Sequence, residues 1–381
     1  MPSTVVSDVS GLTAALRSAQ SGDTILLNGG TYNGLYLQHL SFPTGVTITS
    51  VDPAHRAVLD YVNLSDVHGL TFSNLEFLAS QPNYAGIEVD NSSELHFDRV
   101  YIHGSLDGNS GNDANGMRVL YSSNVSLTNS ELEQLGRGSI FGITSGVHVS
   151  GNHIHDIRTD GLDFAEVSYV KILNNLIHDI VLAPGDHPDG IQFWTSGTTH
   201  ASHDILISGN VILRGGGGWT EGIFLYDEVG TLPYERLTIT DNLIVGTGYN
   251  AIRVIGAKDL VVSGNQLVSF ADDPMKTFFL LERSDSVVSS NNSAIAIGFD
   301  GVTNLTQSGD RLTEGVSDKG QAAIVQWSLT HPDTLALIAP FLPPPPPPPP
   351  PATVVVAEVP TWAWGGNVGV LAGLGEGFLF S

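Results

Sequence analysis

The chain has 381 residues, 41% hydrophobic and only 14% charged, with 43 glycines, 20 prolines and no cysteine. Its 15 basic and 39 acidic residues give −24, which excludes the basic footprint of a nucleic-acid binder, and zero cysteines exclude disulfides and thiolate sites. No apolar run approaches the roughly 20 residues of a membrane-spanning helix, so no membrane insertion is expected.

Residues 1–24 read as an N-terminal cap. MPSTVVSDVS lacks the charged and apolar regions of a signal peptide, so the protein is either cytoplasmic or exported without a cleaved N-terminal signal. An extracellular or cell-surface location of the second kind is expected, in keeping with the acidic, cysteine-free composition. Within the cap, SDVSGLTAALRSAQ (7–20) has a Ser/Asp start and Leu12, Ala15 and Leu16 at helical spacing. A helix there would cover the open end of a sheet.

Residues 25–300 carry a repeat. FSNLEF, LTNSEL, VSGNHI, LNNLIH, ISGNVI, TDNLIV and SGNQLV place an asparagine at Asn74, Asn129, Asn152, Asn175, Asn210, Asn242 and Asn265, with Asn292 as a further member. Arg99 stands in that column in HFDRVYIHG. Between the asparagines lie short alternating runs such as GLDF, YVKILNN and GIQFW, which are strand patterns. A strand-only repeat of this length cannot bury its apolar face alone and must stack on its neighbours. The asparagine is expected to take the left-handed bend and to bond to the asparagine one coil on. The fold expected is all-β, a single-stranded right-handed parallel β-helix of about nine or ten coils.

Residues 301–342 read as a C-terminal cap, with short helices at 320–341 covering the far end. Pro343–Pro351 is a polyproline spacer, about 28 Å long at roughly 3.1 Å per residue. Residues 352–381, Gly-rich and apolar, read as a truncated module or an export signal.

The entry segment SGDTILLNGGTYNG, after its helix, resembles the extracellular β-helix enzymes that act on acidic polysaccharides. Pectate and alginate lyases of this kind often open with a short helix, a GDTI-type strand and a GTY turn. The resemblance covers roughly residues 5–300 and implies a polysaccharide partner without specifying it.

In the middle coils an acid and a glycine introduce the same strand: Asp160-Gly161, Asp189-Gly190 and Glu221-Gly222. Strands about 4.8 Å apart would set Asp160, Asp189 and Glu221 in one column. Like charges that close imply a bound cation, with Ca²⁺ the candidate, or a shared proton. Leu162, Ile191, Ile223 and Ile252 are expected inside, so Arg118, Asp163, Gln192, Phe224 and Arg253 should point outward, with Trp194 and Tyr226 on the same face. Inserted loops add His187, Trp219 and Tyr234 as walls of a cleft. His155 and His178, at equal register in NHIHDI and NLIHDI, read as a structural ladder.

RTDGLDFAE and DHPDGIQF also resemble the catalytic coils of mannuronan C5-epimerases. That resemblance implies roles for Asp163, Glu166 and His187, although Phe164 and Ala165 stand where the family has its Pro-His pair. The TDG segment is similar to one in β-helix polygalacturonases. The expected chemistry is a lyase or epimerase-like step at C5 of a uronate, with Asp163, His187 and Asp189 as acid–base groups and Lys171, expected on another strand, as the alternative base. Arg118 and Arg253 would clamp the carboxylate. Gln192, Trp194, Trp219, Phe224 and Tyr226 would bind sugar rings. The alternatives are an inverting hydrolase, with Asp163/Asp189 or Asp189/Glu221 as its carboxyl pair, and a glycan-binding module without catalysis.

Overall fold

The computed structural model describes residues 3–181 and 185–344. Residues 345–351 of the proline run and the 352–381 tail lie outside the described residues. Strand pairing is parallel throughout and always joins one coil to the next, which makes the chain a parallel β-helix. One coil shows the plan. Strand His203–Ser208 forms a first face, the Gly209-Asn210 corner turns the chain, Val211–Leu213 forms a second face, and Glu221–Tyr226 forms a third. Ten successive pairings run along the third face, from 35–38 to Ala296–Asp300, giving eleven rungs.

Alternation within each strand sends every second side chain inward, where identical positions meet one coil later. Phe141, Phe164 and Phe193 stack this way, with ring centroids 5.4 and 4.6 Å apart, and all three are fully buried. Each such burial contributes roughly 1.5–3 kcal/mol. At the N-terminal end, helix Val9–Ser18 starts at Asp8, whose carboxylate accepts the Gly11 N–H at 2.7 Å, and buries Leu12 and Leu16 in the same core.

The asparagine corner divides between two residues the work that the sequence assigned to one. Asn152, Asn175, Asn210, Asn242, Asn265 and Asn292 are completely buried and form one unbroken ladder. The Asn175 Oδ1 accepts from both the backbone N–H and the amide of Asn152, at 3.0 and 2.9 Å. Asn210 does the same for Asn175, and the pattern continues until Asp310 ends it with its carboxylate. The left-handed backbone belongs to the residue before each rung: Gly151, Asn174, Gly209, Asp241, Gly264 and Asn291. Asn74, Arg99 and Asn129 have positive φ and occupy this preceding position, so they are not rungs of the ladder. Ser130 is the residue that stands beside Asn152.

The C-terminal segment also departs from expectation. Helices Gln321–Ser328 and Leu335–Ile338 pack on the side of the second face, not over the end of the coils. Trp327 and Ile338 bury Leu176, Val211, Leu213, Leu243 and Val245. Those outward residues are apolar, so they need a cover, and this explains where the helices go. Strand stacking itself continues to Arg311–Leu312. No helix among the described residues is long and apolar enough to cross a membrane.

Adjacent asparagines test this division of labour. Asn175→Ala strands two buried donors of Asn152 and should cost about 3 kcal/mol, at the upper end for one unsatisfied group. Asn174→Gly, at φ 55°, should change stability by only a few tenths of a kcal/mol. Chemical denaturation of the two variants side by side measures the contrast.

Candidate active site

The third face carries a column at its strand entrances. The glycines of this column pack backbone against backbone. A Cβ on Gly161 would meet the Gly190 oxygen at 2.7 Å, and one on Gly190 would meet the Gly222 oxygen at 2.9 Å. Close approach explains the recurring glycine, and the residue before it projects at the mouth of the coil. In coil order these residues are Asn115, Arg137, Asp160, Asp189, Glu221 and Asn250. The signs therefore run neutral, positive, three negative, neutral.

Arg137 is the residue that the sequence reading missed. Its Nη1 lies 2.5 Å from Asp163 Oδ2 and 3.2 Å from Asp160 Oδ2. Asp160 Oδ1 accepts the Asp189 backbone N–H at 2.9 Å. Burial raises the pKa of Asp160 and pushes that of Asp163 well above the usual carboxylate range, the neighbouring Asp160 charge adding to it and Arg137 opposing it. Burial works against the Arg137 charge too, yet Asp163 and Asp160 outweigh it and hold the guanidinium protonated. The signal for Arg137 was its own Arg137-Gly138 pair, in the place where later coils have acid and glycine.

His187 completes the centre from an inserted loop. Its Nδ1 lies 3.1 Å from Asp189 Oδ2 and its Nε2 lies 3.5 Å from Glu221 Oε1. Contact with these two carboxylates raises its pKa to about 11. Asp189 also accepts from Gln192 Nε2 at 2.9 Å, and burial pushes its own pKa up to about 8. Glu221 accepts from Asn250 Nδ2 at 2.6 Å. Asp163 Oδ1 and Asp189 Oδ1 are buried with no partner, and protonation relieves the cost of burying them.

Asp163 and Asp189, expected on a solvent-facing wall, are fully buried beneath Arg137 and His187. They orient the exposed cations. The His187 side chain is 54% exposed, that of Arg137 36% and that of Glu221 14%. Arg118 and Arg253 lie in the outward column, but each is held by a glutamate: Arg118 by Glu88 at 2.7 Å, Arg253 by Glu282 at 2.6 Å. Register puts Ile140 between Arg118 and Asp163, and Gln192 and Phe224 between Asp163 and Arg253, so neither predicted clamp adjoins Asp163 in that column. Gln192, Phe224, Trp194 and Tyr226 share the outward face as expected, and the Phe224 ring lies 5.5 Å from that of His187. Trp219 is exposed in its loop. Tyr234 is core: it is buried, and its hydroxyl donates to the Tyr226 carbonyl. Glu166 sits at a different corner, bonded to Thr199 and His200, and lines a shallow recess that contains none of Asp160, Asp163, Asp189 and Glu221. The residues implied by the epimerase resemblance therefore do not converge.

The expected Ca²⁺ column of Asp160, Asp189 and Glu221 does not present three free carboxylates. Asp160 is committed to Arg137 and to the Asp189 backbone. The group able to surround an ion is His187, Asp189 and Glu221, within 4.8 Å of one another, with a nitrogen and two carboxylates. Ca²⁺ takes six to eight oxygens, so these residues do not fit it.

The family model described as a right handed beta helix region matches residues 60–199. None of the curated proteins matches the chain. Among solved structures, the surface adhesin PfbA of Streptococcus pneumoniae is 13% identical over 81% of this chain and 87% of its own, with a TM-score of 0.55. The Dettilon tailspike protein is 15% identical over 81% and 63%, with a TM-score of 0.55. A GH136 lacto-N-biosidase from Eubacterium ramulus is 12% identical over 82% and 68%, with a TM-score of 0.50. Likeness at these identities describes the fold, a right-handed β-helix.

The proton balance of the centre makes stability pH-dependent with a definite sign. Asp189 holds its proton up to about pH 8 when folded, but only to about pH 4 unfolded. His187 holds its proton to about 11 against about 6.5. The folded state binds more protons in both windows, so stability should fall as pH rises from 4 through 8 and beyond. Asp189→Asn should flatten the lower part of that slope. Denaturation midpoints at pH 5, 7 and 9 measure it.

Proposed function

We propose that the chain is a polysaccharide-active enzyme, acting outside the cell or at its surface, that catalyses β-elimination on a uronate-containing glycan. The observation that carries this reading is the bridge His187 makes between buried Asp189 and partly exposed Glu221, beside the exposed Arg137. Perturbed titratable groups gathered at one place on a rigid face are the mark of acid–base chemistry.

Elimination at a uronate needs a cation against the substrate carboxylate, a base for the C5 proton and an acid for the leaving oxygen. Arg137 is the cation, positioned by Asp160 and Asp163. Glu221 takes the C5 proton. The electrons form the C4–C5 double bond as the C4–O4 bond breaks, and His187 protonates the departing oxygen. Asp189 and Gln192 fix the imidazole. Phe224, Trp194, Tyr226 and Trp219 offer surfaces on which sugar rings stack.

Inverting hydrolysis is less compatible with this centre. Such enzymes hold their carboxyls about 6.5–9.5 Å apart to admit a water. Oxygens of Asp189 and Glu221 lie within 4.8 Å, and Asp163 is covered by Arg137. Related scaffolds include both an adhesin and a lacto-N-biosidase, so the fold leaves binding and catalysis open. The charged centre supports catalysis.

Incubation with a panel of acidic and neutral polysaccharides should raise absorbance at the unsaturated-uronate band together with reducing ends, on acidic polymers only. Reducing ends without absorbance would overturn elimination in favour of hydrolysis. His187→Ala and Glu221→Gln should each lower kcat by about 10²–10⁴. Trp194→Ala should mainly raise KM, because a stacking surface holds ground and transition states alike.

A further inference from the structure

A second group of imidazoles lies on the second face. Strands Glu131–Glu133, His153–His155 and Leu176–His178 stack in register, which sets His153 above Glu131 and His178 above His155. Residues two apart on a strand share a side, so His153 and His155 face outward together while Ile154 enters the core. The His155 and His178 rings are parallel, with centroids 5.3 Å apart, and the His153 ring lies 4.2 and 4.9 Å from them. His153 Nε2 is 2.7 Å from His178 Nε2, and His155 Nε2 is 3.3 Å from Glu131 Oε1. The same Glu131 oxygen lies 3.8 Å from His153 Nδ1.

The far side of two of these rings is held by carboxylates. His155 Nδ1 lies 2.7 Å from Asp156, and His178 Nδ1 lies 2.6 Å from Asp179. A carboxylate at Nδ1 fixes the tautomer and turns the Nε2 lone pair toward whatever the ring faces, the arrangement that supports histidine ligands of metals. The two Nε2 atoms face the His153 ring and the Glu131 carboxylate. In the next coils the corresponding outward positions are Val211, Leu213, Leu243 and Val245, apolar and covered by the C-terminal helices. The histidines break that pattern, although His178 itself packs against Phe341 of the cover, with ring centroids 4.9 Å apart.

We propose that Glu131, His153 and His155 form a binding site for one divalent transition metal of the zinc type, joining two successive coils, their ligand atoms lying within 4.8 Å of one another. Two imidazoles and one carboxylate make a three-donor set with a fourth position for water, which suits Zn²⁺ and disfavours Ca²⁺ and Mg²⁺. His155 is nearly buried, whereas Glu131 is half-exposed and leaves a path of entry. The site shares no residue with the His187 centre on the third face, so it stands or falls independently of the enzymatic reading.

Titration of the chelator-treated full chain with Zn²⁺ by calorimetry should show a single site of micromolar or tighter affinity. Saturating Zn²⁺ should raise the melting midpoint by about 3 °C, and Ca²⁺ or Mg²⁺ should not. Co²⁺ should give the visible absorption of a tetrahedral site. His153→Ala with His155→Ala should abolish binding, and Asp156→Asn, which keeps every ligand and alters only the partner of His155 Nδ1, should weaken it about tenfold. Absence of Zn²⁺ binding and of the Co²⁺ band in the unaltered chain would overturn the proposal without any variant having to fold. So would Zn²⁺ binding that survives the double variant and disappears in His187→Ala.

Discussion

Parallel coils stacked in strict register determine everything else in this molecule. Each residue type repeated along the sequence becomes a row in space, with members about 4.8 Å apart. Apolar rows form the core, as the Phe141–Phe164–Phe193 stack does. Asparagine rows satisfy their own amides by handing one hydrogen bond to the next coil. Rows of acids are different, because repetition there accumulates charge. A row of Asp160, Asp189 and Glu221 is tolerable only when something of opposite sign interrupts or faces it.

Two devices supply that opposite sign. Arg137 precedes the acids in the same row and closes one end of it, holding Asp160 and Asp163 together. His187 comes from an insertion, free of the repeat, and reaches the other two acids. The result separates depth from exposure. The aspartates lie below the surface and set orientation, whereas cations and Glu221 meet solvent. A buried carboxylate behind each exposed cation limits its freedom, which is what a centre that must meet a substrate in one geometry needs.

The parts of this arrangement that depend on repetition were legible in the sequence. The asparagine column, the alternating strands and the acid-glycine entrances all follow from short-range pattern, and so did the side on which Gln192, Phe224 and Trp194 lie. The asparagine register slipped by one at Asn74 and Asn129, because asparagine suits both the left-handed position and the ladder position. Only the bonding partners separate the two. Burial of Asp163 was not legible, since its cover, Arg137, stands 26 residues earlier in sequence. Arg118 and Arg253 were assigned as free clamps for the same reason: their glutamates lie 30 and 29 residues away. Tyr234 follows an inserted loop and so looks like wall, yet its hydroxyl finds a backbone carbonyl and the ring enters the core.

The charge of −24 looks adverse to a polyanionic partner, but net charge acts over distance and screens within about 8–10 Å in salt. Local composition matters more at contact. Many of the chain's acids are occupied locally, Asp156 and Asp179 by the histidines before them, Asp310 by the end of the asparagine ladder, Glu88 and Glu282 by arginines. In the centre itself, burial favours the neutral form of Asp163 and of Asp189, while His187 and Arg137 keep their charge. Burial shifts these acids toward their neutral form and so lessens negative charge at the one place where a uronate carboxylate would arrive. The same desolvation that makes the acids costly to bury thus leaves the exposed cations less fully neutralised than their formal partners imply.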